Sequence, residues 1–163
     1  MKRTFFSLAL LLAVATLTAQ TKMTAREAAV KIADRILAST TYEFKNTKTG
    51  EIYKSVKKLP LDMDVKVACK YNNWHYTNGV TNMALMELGD KLGDKKYEKY
   101  VLKNMNFVFN EGNLDFFRKQ YDEAFKRDGW NAVRKLSWHM IFRGKRLHDN
   151  GPMGASLIEL QLK

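Results

Sequence analysis

A chain of 163 residues with 28 Lys and Arg against 17 Asp and Glu carries a formal charge of +11, and Cys69, its single cysteine, excludes an internal disulfide. The length suffices for one domain, whose stability must then come from apolar burial. No glycine-rich phosphate loop, HExxH, CxxC or GxSxG occurs, and His75, His139 and His148 lack metal-ligand spacing among themselves or with Cys69, so no structural zinc is expected.

Lys2 and Arg3 precede an apolar run over residues 5–17 broken only by Ser7 and Thr16. A membrane span needs about 20 apolar residues, so this shorter run reads as a secretory signal peptide. Ala13-Val14-Ala15 offers one small-x-small cut; a cut after Ala19 leaves a longer apolar region and is favoured, giving a signal peptide over residues 1–19. No cysteine sits at either junction, which argues against a lipid anchor, and the expected location is periplasmic or extracellular. Without Lys2 and Arg3 the 28 basic residues fall to 26 against 17 acidic ones, a formal +9 for residues 20–163. Such a surplus attracts polyanions, acidic polysaccharides and lipid head groups among them; the alternative is a solvated lysine-rich surface.

Thr24-Ala25-Arg26-Glu27 is a capping box, and Ala29, Ile32, Ala33, Ile36 and Leu37 recur at helical spacing to about Ser39. Residues 40–73 are polar and lysine-rich, a long connection with a short hairpin about Gly50, and a connection of that length frames a cleft when it has a function. Val80, Ala84, Leu85, Leu88 and Leu92 then form a stripe that Met83 and Met86 widen, as in a helix buried between layers. Gly93-Asp94 turns the chain into an antiparallel neighbour marked by Tyr97, Val101, Met105 and Val108, with Gly112 as its stop. Leu114, Phe117, Tyr121, Ala124 and Phe125 predict another helix closed by Asp128-Gly129, and Val133, Leu136, Met140 and Ile141 one more. Residues 118–146 hold nine basic and three acidic side chains, the most basic stretch. Gly151-Pro152 predicts the start of the last helix, where Ala155, Ile158 and Leu162 begin a stripe that reaches Lys163 without a stop signal.

Two segments hold candidate chemistry. Asn72-Asn73-Trp74-His75-Tyr76-Thr77-Asn78-Gly79 joins aromatic faces, which stack on pyranose rings, to amides and an imidazole that meet hydroxyls. The plainer account makes Trp74 and Tyr76 plugs for the end of a helical layer. Leu147-His148-Asp149-Asn150-Gly151-Pro152-Met153-Gly154 places Asp149 just ahead of a helix start, where an aspartate also serves as a cap.

Trp74-x-Tyr76-x-x-Gly79-Val80, Gly93-Asp94-x-x-Tyr97 and His148-Asp149-x-Gly151-x-Met153-Gly154-Ala155 together resemble the opening repeats of glycoside hydrolase families 88 and 105, the unsaturated glucuronyl and rhamnogalacturonyl hydrolases. The resemblance runs from about Asn72 to Lys163 and implies an all-α fold, an α/α toroid of six helical hairpins with its active site at one end of the inner helices. Residues 20–163 are then read as the first hairpins of an incomplete toroid, inactive alone, with the faces of Val80, Leu85, Leu88 and Ile158 lacking their neighbours. The implied reaction removes a terminal unsaturated uronic acid from lyase-generated oligosaccharides by hydrating the ring double bond, with no metal or nucleotide. Asp149 matches the first of two active-site aspartates, His148 a residue beside it, and Trp74 and Tyr76 positions lining the pocket; the second aspartate, the family's general acid and base, is expected beyond Lys163. The chain departs from many family 105 relatives at His148, where they carry a second acid, and at Pro152, where they carry a small residue, and both positions bear on the substrate.

A proton donor near neutral pH needs a pKa raised by burial or a like charge, whereas a helix start favours the ionised form, so the push on Asp149 must come from tertiary neighbours. A second reading is a non-catalytic module that binds acidic glycans through residues 118–146 and the Trp74 cluster. Nucleic-acid binding ranks last, since no recognition motif is present and a signal peptide speaks against it.

Overall fold

A computed structural model of the chain describes residues 23–143 and 147–163, the side chains of residues 147–149 excepted. The signal peptide and its two cleavage sites lie outside the described residues. The amide and hydroxyl of Thr24 donate to Glu27 Oε2 at 2.8 and 2.9 Å, and Glu27 N donates to Thr24 Oγ1 at 3.2 Å, completing the capping box. These bonds, the backbone one foremost, hold the Glu27 carboxyl below its ordinary range. They open α1, Ala25–Ser39. The chain divides into two compact units, one ending at Ile32 within α1 and the other spanning Ala33–Lys163.

The expected long connection carries more structure than a hairpin. Strands β1 (Phe44–Asn46), β2 (Ile52–Tyr53) and β3 (Val65–Val67) form an antiparallel sheet in the order β2-β1-β3, with Phe44 opposite both Tyr53 and Val67. The hairpin about Gly50 is present, its turn held by Asn46 Oδ1, which accepts from the amides of Lys48 and Thr49 at 2.9 and 3.1 Å. Alternation of apolar and polar residues is too brief in these strands to register as a strand pattern. Phe44 and Val65 are buried, and Gln120, itself buried, donates from Nε2 to the Val65 carbonyl at 3.0 Å. A single-turn helix over Lys70–Asn72 then leads into the Trp74 segment.

Helix α2 spans Tyr76–Leu92 and ends at Gly93 with φ 67°. Its buried face consists of Asn78, Gly79, Asn82, Leu85, Met86 and Gly89, so the expected stripe is only partly inside: Val80 is 53% and Met83 41% exposed, and Ala84 is exposed as well. Close helix contact selects small residues at the crossing, and hydrophobicity alone does not find such a face. Helix α3, Lys96–Val108, follows the Gly93 turn, with Asp94 Oδ1 accepting from Lys96 N at 3.0 Å. Tyr97, Val101, Met105 and Val108 are all buried on α3, as their spacing requires.

Gly112 does not stop α3. The helix ends at Phe109, and Asn110 caps α4, Glu111–Val133, by accepting from Asn113 N at 3.3 Å. An asparagine cap outweighs the glycine as a signal here, because its side chain satisfies an orphan amide. Asp128-Gly129 closes the first helical piece of this span, as expected: both residues have non-helical backbone, and the residues on to Val133 form a second piece beyond the kink. The further helix expected through Val133, Leu136, Met140 and Ile141 is absent; residues 134–142 form successive turns. Trp138 there has φ 56°, a left-handed conformation that a right-handed helix cannot contain. Its ring is fully buried against Phe107 and Phe117, and its Nε1 donates to the Asn72 carbonyl at 2.7 Å.

Helix α5 spans Leu147–Gln161, four residues earlier than Gly151-Pro152 suggested, and encloses Pro152. Asp149 therefore belongs to the first turn and not to the residues ahead of it. Helices α2 and α5 lie side by side and run in the same direction. Near their starts, a Cβ on Gly79 would stand 2.3 Å from the Pro152 carbonyl carbon and 2.4 Å from Met153 N, so only glycine fits. Near their ends, Lys163 pairs with Asp90, 73 residues away, and holds that carboxyl below its ordinary range. The protein is mostly helical, with five helices and one small sheet among the described residues.

Candidate functional site

Two parallel neighbours bring their starts together, so the Trp74 segment and the Asp149 segment share one end of the α2–α5 pair. Trp74 Nε1 donates to Asn150 Oδ1 at 2.8 Å across 76 residues of sequence, and Asn150 Nδ2 donates in turn to the Arg143 carbonyl at 3.3 Å. The indole is 7% exposed and meets Phe109 edge-on, with ring centroids 5.6 Å apart. Trp74 therefore anchors the start of α5, and an apolar ring with one satisfied polar atom suits that task. Asn150, the partner that joins the two segments, carried no signal in the sequence beyond its place next to Asp149.

The three side-chain amides of the Trp74 segment are engaged by backbone groups, most of them outside the segment. Asn72 Nδ2 donates to the Thr41 carbonyl, Asn73 Oδ1 accepts from Trp138 N at 3.1 Å, and Asn78 Nδ2 donates to the carbonyls of Lys70 and Asn73 at 2.8 and 2.7 Å. His75 caps α2, its Nδ1 accepting from Thr77 N at 3.4 Å. Tyr76 differs. It is 46% exposed, and its ring lies 4.7 Å from that of His75, so these two rings form the accessible surface of the segment. The backbones of His148 and Asp149 take the second and third positions of α5, while their side chains lie outside the described residues.

Four of the seven described basic residues in the stretch over residues 118–146 contact their own neighbours. Arg118 lies over the Phe142 ring at 4.9 Å and Arg143 over the Trp130 ring at 3.7 Å, while Lys119 and Lys126 pair with Asp115 and Glu123 at 2.7 and 2.8 Å. A glycan at this surface would have to displace those contacts.

No protein-family model matches the chain, and neither does any curated protein or solved structure.

Proposed function

We propose that the protein is a glycan hydrolase of the unsaturated uronyl type, in which α2 and α5 are inner helices of an α/α toroid and Asp149 is the first of two active-site aspartates. A ring of antiparallel hairpins repeats its inner helix in one direction, and the parallel run of α2 beside α5 supports that arrangement. The observation that carries the reading is the 2.8 Å bond from Trp74 to Asn150, which ties the aromatic segment to the residue next to Asp149 at the shared end of the pair.

In the proposed reaction the acid protonates one carbon of the ring double bond, water adds to the carbon that bears the ring oxygen, and the unstable product opens. The proton is assigned to the second aspartate, and Asp149 is the catalytic carboxyl group beside the sugar. Trp74 is a positioning residue, since its buried ring holds α5, and the Tyr76 face is the surface offered to a sugar. The substrate is an acidic oligosaccharide with an unsaturated terminal unit.

The test follows the loss of ultraviolet absorbance from an unsaturated disaccharide. The chain is assayed alone and, where the reading frame continues past Lys163, in its extended form. Turnover that falls by about a thousandfold or more in Asp149→Asn supports the role, on the scale expected for removing a catalytic carboxyl group. Turnover unchanged in that variant removes Asp149 from the mechanism, and no turnover by either form withdraws the activity.

A further inference from the structure

A second cleft, of about 550 Å³, opens between the end of α3, the start of α4 and the segment after β2. Lys54, Lys57 and Lys103 line it, no carboxylate does, and none of the three lysines is paired with a carboxylate among the described residues. Three unpaired ammonium groups around a concavity form a field that concentrates anions.

The local fold explains why they converge. Ser55 Oγ accepts from Lys57 N at 3.2 Å and so caps the single turn over Val56–Lys58. That turn rests on the amino end of α4, where a Cβ on Gly112 would sit 3.4 Å from Val56 Cγ2. The start of α4, through Asn110, Gly112 and Asn113, therefore faces the same space and adds the partial positive charge of a helix amino end, although Asn110 Oδ1 already takes the Asn113 amide. The floor is aromatic: Phe44 is fully buried and stacks on Phe107 at 5.4 Å, and Tyr42 meets Phe107 edge-on at 5.4 Å. Lys103 Nζ lies 4.2 Å above the Tyr42 ring, which fixes its charge at the wall. Burial raises the Tyr42 phenol well above its ordinary range, so the ring stays neutral, and its hydroxyl donates to Asn104 Oδ1 at 2.9 Å.

Ammonium groups call for a carboxylate, aromatic rings for a flat apolar face, and the amides of Asn106 and Asn110 for hydroxyls. We propose that this cleft binds carboxylated units of an acidic oligosaccharide. The site is separate from the Trp74 to Asn150 contact and stands whether or not Asp149 performs the chemistry proposed above. Two other clefts differ: one, at Arg35, Lys70 and Tyr71, has two cations, no carboxylate and a single aromatic ring. The one at Asp62, Glu123, Lys126 and Arg127 mixes both signs, and Lys126 there is already paired with Glu123.

The full chain would be titrated calorimetrically at low salt with trigalacturonate, maltotriose and AMP. Trigalacturonate should bind about tenfold more tightly than either. The K54Q/K57Q/K103M variant changes exposed side chains and should lose about tenfold in trigalacturonate affinity, whereas a charge-matched K31Q/K48Q/K99Q variant should lose less than about threefold. Circular dichroism establishes that both variants keep the parent fold before titration. No trigalacturonate binding at millimolar concentration, equal binding of maltotriose, tighter binding of AMP, or equal losses in the two variants would each overturn the assignment. Turnover of the unsaturated disaccharide is read separately, so a failed cleft and a failed Asp149 role give different results.

Discussion

Helix α2 makes two contacts of opposite kind, one antiparallel with α3 and one parallel with α5. The first joins neighbours in sequence through Gly93 and Asp94, and its residues announce themselves: Tyr97, Val101, Met105 and Val108 are apolar, evenly spaced and buried. The second joins segments 73 residues apart and is built from a glycine against a proline backbone, then an indole bonded to an amide. Its central residue has no side chain at all. Local contacts advertise themselves as hydrophobic stripes, whereas a long-range crossing is recorded as a small residue whose reason for being small lies elsewhere in the chain.

The largest expected effect comes from filling that crossing. Gly79→Val would drive side-chain atoms into the Pro152 backbone, which cannot rotate aside as a side chain would, and should cost about 3 kcal/mol or more. Chemical denaturation of the variant checks this, and an unaltered midpoint would mean that α2 and α5 do not meet at Gly79.

The polar anchor should be worth less. Asn150→Ala leaves the Trp74 N–H buried without an acceptor, at an expected cost of about 1–3 kcal/mol. In a Trp74→Phe background the same substitution should cost clearly less, because phenylalanine has no donor to strand. Equal costs in the two backgrounds, measured as a double-mutant cycle, would sever the link between the segments.

The smallest effect concerns Asp34, near the end of α1, where Lys96 first and then Tyr97 hydrogen-bond its carboxylate at 2.9 Å and hold it below its ordinary value of 3.8. A depressed carboxylate stabilises the fold above its unfolded value, and that contribution is lost as pH falls from there through the folded value. Asp34→Asn should accordingly narrow the stability gap between pH 6 and pH 3 slightly, since the pair is exposed and screened. Identical acid-unfolding curves for the parent and the variant would show that the contact carries no linkage.

The same contrast separates what was legible in the sequence from what was not. The capping box at Thr24, the Gly93 turn, the α3 stripe and the hairpin about Gly50 were readable, because each is fixed by residues within a few positions. The expected helix through Leu136 and Met140 gave way to turns because Trp138 is held by Asn72 and Asn73, some 65 residues upstream. In the candidate site, Trp74 and Asp149 were visible as residue types beside helix starts. The bond from Trp74 to Asn150 was not, nor was the burial of Trp74 or the inward use of Asn72, Asn73 and Asn78. The lysine cleft escaped as well, since Lys54, Lys57 and Lys103 come from separate segments among many lysines.

The parallel run of α2 and α5 is best tested by distance measurements between spin labels in a Cys69→Ala background. One label replaces Ile158, in the second half of α5, and the other stands at Thr77 or Glu87, all three exposed. At about 1.5 Å of rise per residue, a parallel pair with a 73-residue offset places Ile158 beside the level of residue 85, close to Glu87 and about 12 Å along the axis from Thr77. The label at Ile158 should be nearer to Glu87 than to Thr77; the opposite order would mean that the two helix starts, and with them Trp74 and the Asp149 segment, lie at opposite ends.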